Sequence, residues 1–111
     1  MSIAATPEGI ARYLRLAPEG DQDALVGCFT DDAKVVDEGQ TYRGHNEIRR
    51  WRETVTSKFT YTVEVVRSEA LGADRFVVTA HLEGNFPGSP VQLKFRFVLD
   101  DGLIAALEIA P

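Results

Sequence analysis

The chain has 111 residues, is 44% hydrophobic and 26% charged, and carries a formal net charge of −5. This is the length of one domain, here 1–111, with enough apolar residues for a core, and too short for a second domain. The acidic balance excludes an ordinary nucleic-acid binder, and no apolar run approaches the length of a membrane span or forms a secretory signal pattern, so a cytoplasmic location is the default expectation.

Thr6-Pro7-Glu8 opens the first helix, with Thr6 as N-cap, Pro7 at the first helical position and Glu8 near the positive end of the dipole. Ile10, Tyr13, Leu14 and Ala17 follow on one face, and Pro18 and Gly20 stop the helix. Asp21 caps a second helix whose buried stripe is Leu25, Cys28 and Phe29. Cys28 is the single cysteine, cannot close an intrachain disulfide, and reads as a small core residue. Thr30-Asp31-Asp32 is turn chemistry, Ala33 to Asp37 a short strand, and Gly39 and Gly44 punctuate a loop.

A third helix is expected from about His45 to Thr56, burying Ile48, Trp51 and Val55. Arg49, Arg50 and Arg52 lie between Glu47 and Glu53 and read as its solvated face. Period-two alternation then marks strands from Phe59 to Leu71, Arg75 to Phe86 and Val91 to Leu99. Asp100-Asp101-Gly102 turns the chain into a last strand, Leu103 to Ile109. Helices followed by a meander of strands predict an α+β domain with helices on one face of an antiparallel sheet. The opposite face carries Glu64, Thr79, His81, Glu83, Lys94 and Arg96, where His81 is placed to meet Glu64 or Arg96 across strands. That face is either wet or a polar subunit interface.

The segment from Arg12 to Trp51 carries Arg12-Tyr13, Gly20-Asp21, the run Phe29 to Asp37, Gly44, and Ile48 to Trp51. In that order these resemble the SnoaL-like and ketosteroid isomerase-like families of the nuclear transport factor 2-like superfamily. The resemblance implies a cone-shaped fold, also called cystatin-like, with three N-terminal helices on a curved, mainly antiparallel sheet that encloses an apolar pocket. It further implies Asp37 as the base that moves a proton beside a ketone and Tyr13 as a donor to the developing oxyanion. The family's second oxyanion donor, a protonated Asp on a later strand, has Leu93 in its place.

The residues support Asp37 separately. Strand alternation puts Asp37 on the face of Val35, so an apolar interior on that side would desolvate its carboxylate and raise its pKa into a range useful for a base. Glu38 would face outward as an ordinary exposed acid. The competing role for Asp37 is a half-exposed strand-end residue capping the loop at Gly39, and for Tyr13 a core aromatic. Leu14, Trp51, Phe59, Ala80, Leu82, Leu93 and Phe95 are the expected ligand-binding lining. No HxxxH, HxH or cysteine cluster suggests a metal, and the glycines form no phosphate loop, so no metal and no cofactor are expected.

Two functions are consistent with this pattern. One is a cofactor-independent isomerase, cyclase or dehydratase acting on a small apolar molecule. The other is a non-catalytic module of the same fold that binds a hydrophobic ligand or dimerises. A homodimer through the outer sheet face is expected in either case, since a pocket sacrifices core in so short a chain.

Overall fold

The computed structural model describes residues 6–111. The segment 1–5, which bears on the reading against a signal peptide, lies outside the described residues. In chain order the elements are α1 (Glu8–Leu16), α2 (Gln22–Val26), β1 (Phe29–Asp37), β2 (Gln40–Arg43), α3 (Gly44–Lys58), β3 (Tyr61–Ala70), β4 (Arg75–Gly84), β5 (Val91–Asp100) and β6 (Leu103–Ala110). The strands form one curved, unclosed sheet in the order β2-β1-β6-β5-β4-β3. All neighbours are antiparallel except β1 and β6, which run parallel. The chain is therefore α+β, with three helices and six strands among the described residues.

The helical stripe of α1 is where the spacing puts it: Ile10, Tyr13, Leu14 and Ala17 are all buried. They join Leu25, Phe29, Ile48, Val78, Phe95 and Phe97 in one apolar cluster, with Val55 and Phe76 packed against it. The helical and strand stripes thus cover each other, which is the main source of stability for elements this short. Tyr13 meets Phe29 and Phe97 edge-on, at centroid distances of 5.7 and 5.8 Å.

Several local expectations are corrected. Helix α1 starts at Glu8 with Pro7, which has no side-chain donor or acceptor, as its N-cap, and the Thr6 hydroxyl donates to Ser68 Oγ at 3.3 Å. Helix α2 is capped by Asp21, whose Oδ1 accepts the Ala24 N–H at 3.1 Å, but it ends at Val26. Cys28 and Phe29 are buried beyond the helix, and Phe29 already begins β1 opposite Ile104. Thr30-Asp31-Asp32 is an irregular part of that strand, not a turn, and the register shifts between Phe29 and Lys34.

The loop expected around Gly39 is a hairpin. Asp37 pairs with Gln40, and the two residues between, Glu38 and Gly39, have φ of 53° and 76°. This positive-φ pair matches the twist of the strands, as a two-residue hairpin turn requires. Asp101-Gly102 does the same between β5 and β6, with φ of 53° and 83°. The second turn has the Asp-Gly signature and is legible; Glu at the first position of the other is not. At the far end of the sheet, a register shift between Val65 and Arg67 reverses the phase of β3, so that Ser68 becomes its buried residue and Val66 is exposed.

Candidate active site

The curved sheet, α1 and α3 enclose a cavity of about 580 Å³. Its floor is Leu93 and Phe95 on β5, Leu82 on β4, and Tyr61 and Val63 on β3. Helices contribute Tyr13, Leu14, Arg52 and Val55, and the end of β1 contributes Asp37. Thr54, Lys58 and Pro87 line it as exposed residues and mark the opening, together with the hairpin residue Glu38.

Asp37 and Tyr13 both line this cavity. Asp37 is the last paired residue of β1, with Val35 two positions earlier fully buried on the same strand face. Its Oδ2 accepts the Trp51 indole N–H at 3.1 Å. Burial raises the Asp37 pKa above the ordinary carboxylate value, and nearby Glu38 adds to the rise, while the Trp51 hydrogen bond and the Arg52 charge oppose it. Tyr13 is 1% exposed, and its hydroxyl has no hydrogen-bond partner among the described residues. Burial pushes its pKa well above the usual tyrosine value, so at neutral pH it is a donor. The arrangement can remove a proton with Asp37 and offer a neutral O–H to a developing negative charge.

Of the other expected lining residues, Leu14, Phe59, Leu82, Leu93 and Phe95 line the cavity, whereas Trp51 and Ala80 do not. Ala80 is fully buried in the core, sandwiched in the ladder between Val65 and Leu93. Trp51 is turned to Asp37, and its ring stacks on Tyr42 of β2 with centroids 5.7 Å apart. It positions the carboxylate without lining the space in front of it. Glu38 is exposed, as alternation suggests, but sits at the rim of the cavity.

Arg52 is the residue that sequence reasoning misplaced. Its side chain is buried, with 4% of the residue exposed, not part of a solvated face. Nη2 donates to the Ala17 carbonyl at 2.7 Å and to the Tyr61 hydroxyl. A signal was present: Arg52 lies four residues after Ile48 and three before Val55, which is the buried helical stripe. The run of three arginines masked it. Arg49 does behave as expected, pairing with Asp23 at 2.6 Å on the surface.

The remaining histidines and the cysteine are peripheral. His81 does lie opposite Glu64 in the β3–β4 ladder, but its Nε2 is 3.8 Å from Glu83 on its own strand and makes no bond to Glu64 or Arg96 among the described residues. His45 Nε2 is 3.0 Å from the Phe29 carbonyl. Burial raises the Cys28 pKa although Arg12 and Arg15 work against it, which disfavours the reactive thiolate.

The SnoaL-like domain model matches residues 10–107. A proposed polyketide cyclase of Sinorhizobium meliloti is 38% identical, superposes with a TM-score of 0.89 and is covered over 95% of each chain. A Catenulispora acidiphila protein with a ketosteroid isomerase-like fold, solved with trimethylamine, is 18% identical with a TM-score of 0.85, covering 96% of this chain and 87% of that one. A Mycobacterium tuberculosis protein solved with estradiol-17β-hemisuccinate is 15% identical with a TM-score of 0.78, covering 93% and 90%. No curated relative matches the sequence. The family match over nearly the whole chain and the architecture shared with these neighbours agree: the chain belongs to the SnoaL-like domain family and has the nuclear transport factor 2-like fold.

Proposed function

We propose that this protein is a cofactor-independent acid–base enzyme that isomerises, cyclises or dehydrates a small, largely apolar carbonyl compound. The observation that carries this reading is that Asp37, with a raised pKa, and Tyr13, with an unclaimed hydroxyl, share one cavity whose lining is otherwise mostly apolar. Asp37 takes the proton from an acidic C–H, and Tyr13 donates to the enolate oxygen that forms. Because Leu93 stands where the isomerases have a second acidic donor, Tyr13 acts without that partner, and the reaction suits a substrate more acidic than a simple ketone. The Sinorhizobium meliloti neighbour, proposed to be a polyketide cyclase, supports this class of chemistry. The small-molecule complexes of two more distant neighbours support a small molecule as the ligand of this fold.

The test is hydrogen–deuterium exchange at the carbon between the ring and carbonyl of 2-tetralone, followed by NMR in heavy water. The wild-type chain is expected to accelerate exchange. Asp37→Asn should slow it by about a hundredfold or more, and Tyr13→Phe by about tenfold to a thousandfold. Binding of the ketone without accelerated exchange would instead favour the ligand-binding module, for which Asp37→Asn leaves affinity unchanged or improved.

A further inference from the structure

Arg52 is a buried cation without a matching anion. Its guanidinium has five N–H donors, of which Nη2 uses two, on the Ala17 carbonyl and the Tyr61 hydroxyl. Nε is buried and has no hydrogen-bond partner among the described residues. No carboxylate lies within ion-pair distance of Arg52 among the described residues, and the contact with the Trp51 ring, 4.7 Å from Cζ to centroid, is no substitute for a countercharge. Arg52 and Tyr61 both line the cavity. Tyr61 accepts from Arg52, so its own O–H remains available to donate, and it has no acceptor among the described residues. Asp37 lines the same cavity, but its Oδ2 is taken up by the Trp51 indole and it forms no ion pair with Arg52 among the described residues.

From this geometry we propose that the cavity binds a hydrophobic monocarboxylate, with the carboxylate held by Arg52 and Tyr61 and the apolar body lying along Val63, Leu82, Leu93 and Phe95. A guanidinium and a phenol O–H are matched to the two oxygens of a carboxylate. A developing enolate would meet Arg52 only during turnover, whereas a carboxylate neutralises it for the lifetime of the complex. A dianion such as a phosphate monoester is disfavoured by Asp37 and Glu38, which border the same space, where the only cation besides Arg52 among the lining residues is Lys58, exposed at the opening. The proposal deepens the acid–base reading, and rests on it for taking this cavity as the substrate site: the substrate would be a keto acid, anchored by its acid group, with its reactive C–H presented to Asp37.

The test compares 2-naphthoate with its neutral analogue 2-naphthamide, titrated at pH 7 against the full chain and read from backbone amide shifts in NMR. The wild type is expected to bind naphthoate at least about tenfold tighter than naphthamide, since truncating one partner of a buried charged hydrogen bond costs that much or more. Arg52→Met should abolish the preference by weakening naphthoate alone, and Arg52→Lys should restore part of it. Tyr61→Phe, which keeps the aromatic packing, should weaken naphthoate and spare naphthamide; it decides the matter should Arg52→Met lose its dispersed spectrum. Equal affinities, tighter naphthamide, no binding of either probe, or a preference that survives these variants would overturn the proposal. Asp37→Asn separates the two readings: it should stop exchange of 2-tetralone while leaving the preference for naphthoate intact. Exchange activity without that preference would retain the enzyme and reject the carboxylate.

Discussion

Asp37 is held in a place that makes its charged form costly. Burial raises its pKa, so between the unfolded and folded values the native state binds the proton more readily, and stability falls as pH rises through that window. The contribution is fully present below the unfolded pKa and lost above the folded one. Asp37→Asn should therefore be more stable than wild type at pH 7, with the gain in Tm shrinking as the pH is lowered through the carboxylate range, even as turnover is lost. Trp51 acts on the same group from behind: its indole N–H favours the carboxylate over the acid. Trp51→Phe removes that donor while retaining a ring against Tyr42. The acidic limb of the pH–rate profile, and the Asp37 carboxyl titration seen by NMR, should both move to higher pH. An unmoved limb would show that the indole only fills space.

At the level of elements, the cavity depends on how closely β3 and β4 meet at its rim. Gly84 ends β4 opposite Tyr61, and a Cβ there would lie 2.7 Å from the Tyr61 Cα and collide with the Thr60 carbonyl. Gly84→Ala must push β3 away, and a loss of about 1 to 3 kcal/mol is expected from chemical denaturation. The same displacement would carry Tyr61 from Arg52, so ligand binding should weaken with stability. The adjoining loop depends on the same contact, since Asn85 Oδ1 accepts the Thr60 N–H at 2.8 Å and Ser89 Oγ accepts that of Gly84 at 2.9 Å. On the other side of the sheet, the hairpin after β1 does for Asp37 what this loop does for Tyr61. Four residues of β2 pair with the end of β1 and supply Tyr42, on which Trp51 stacks. Nothing in the alternation of so short and exposed a strand announces β2, whereas β5 is legible because its burial alternates along all 10 residues.

For the molecule as a whole, we propose a homodimer through the outer sheet face, where Thr79, His81, Lys94 and Arg96 are grouped on β4 and β5. A chain of this length gives up core to hold a cavity of about 580 Å³, and a subunit packed on the back of the sheet would offset that loss. Sedimentation velocity at micromolar concentration should give twice the chain mass, and Lys94→Glu should shift the equilibrium with a dependence on salt. A monomer under these conditions would count against the interface. No helix among the described residues is long and apolar enough to cross a membrane.

The sequence by itself determined the order of helices and strands apart from β2, the buried stripe of α1, the Asp101-Gly102 turn and the inward side of Asp37. Each follows from a repeat or a turn signature carried by near neighbours in the chain, where 3.6 and 2.0 residue periods have different consequences. Only the tertiary structure decided that β1 lies parallel to β6, that Trp51 supports Asp37 without lining the cavity, and that Arg52 points inward. The reason is where the partners lie. The carbonyl and hydroxyl that make room for the Arg52 charge come from Ala17, 35 residues before it, and Tyr61, nine residues after it. A cation's cost of burial is set by the groups that the fold brings round it, and in RRWRE three arginines look alike until those groups arrive.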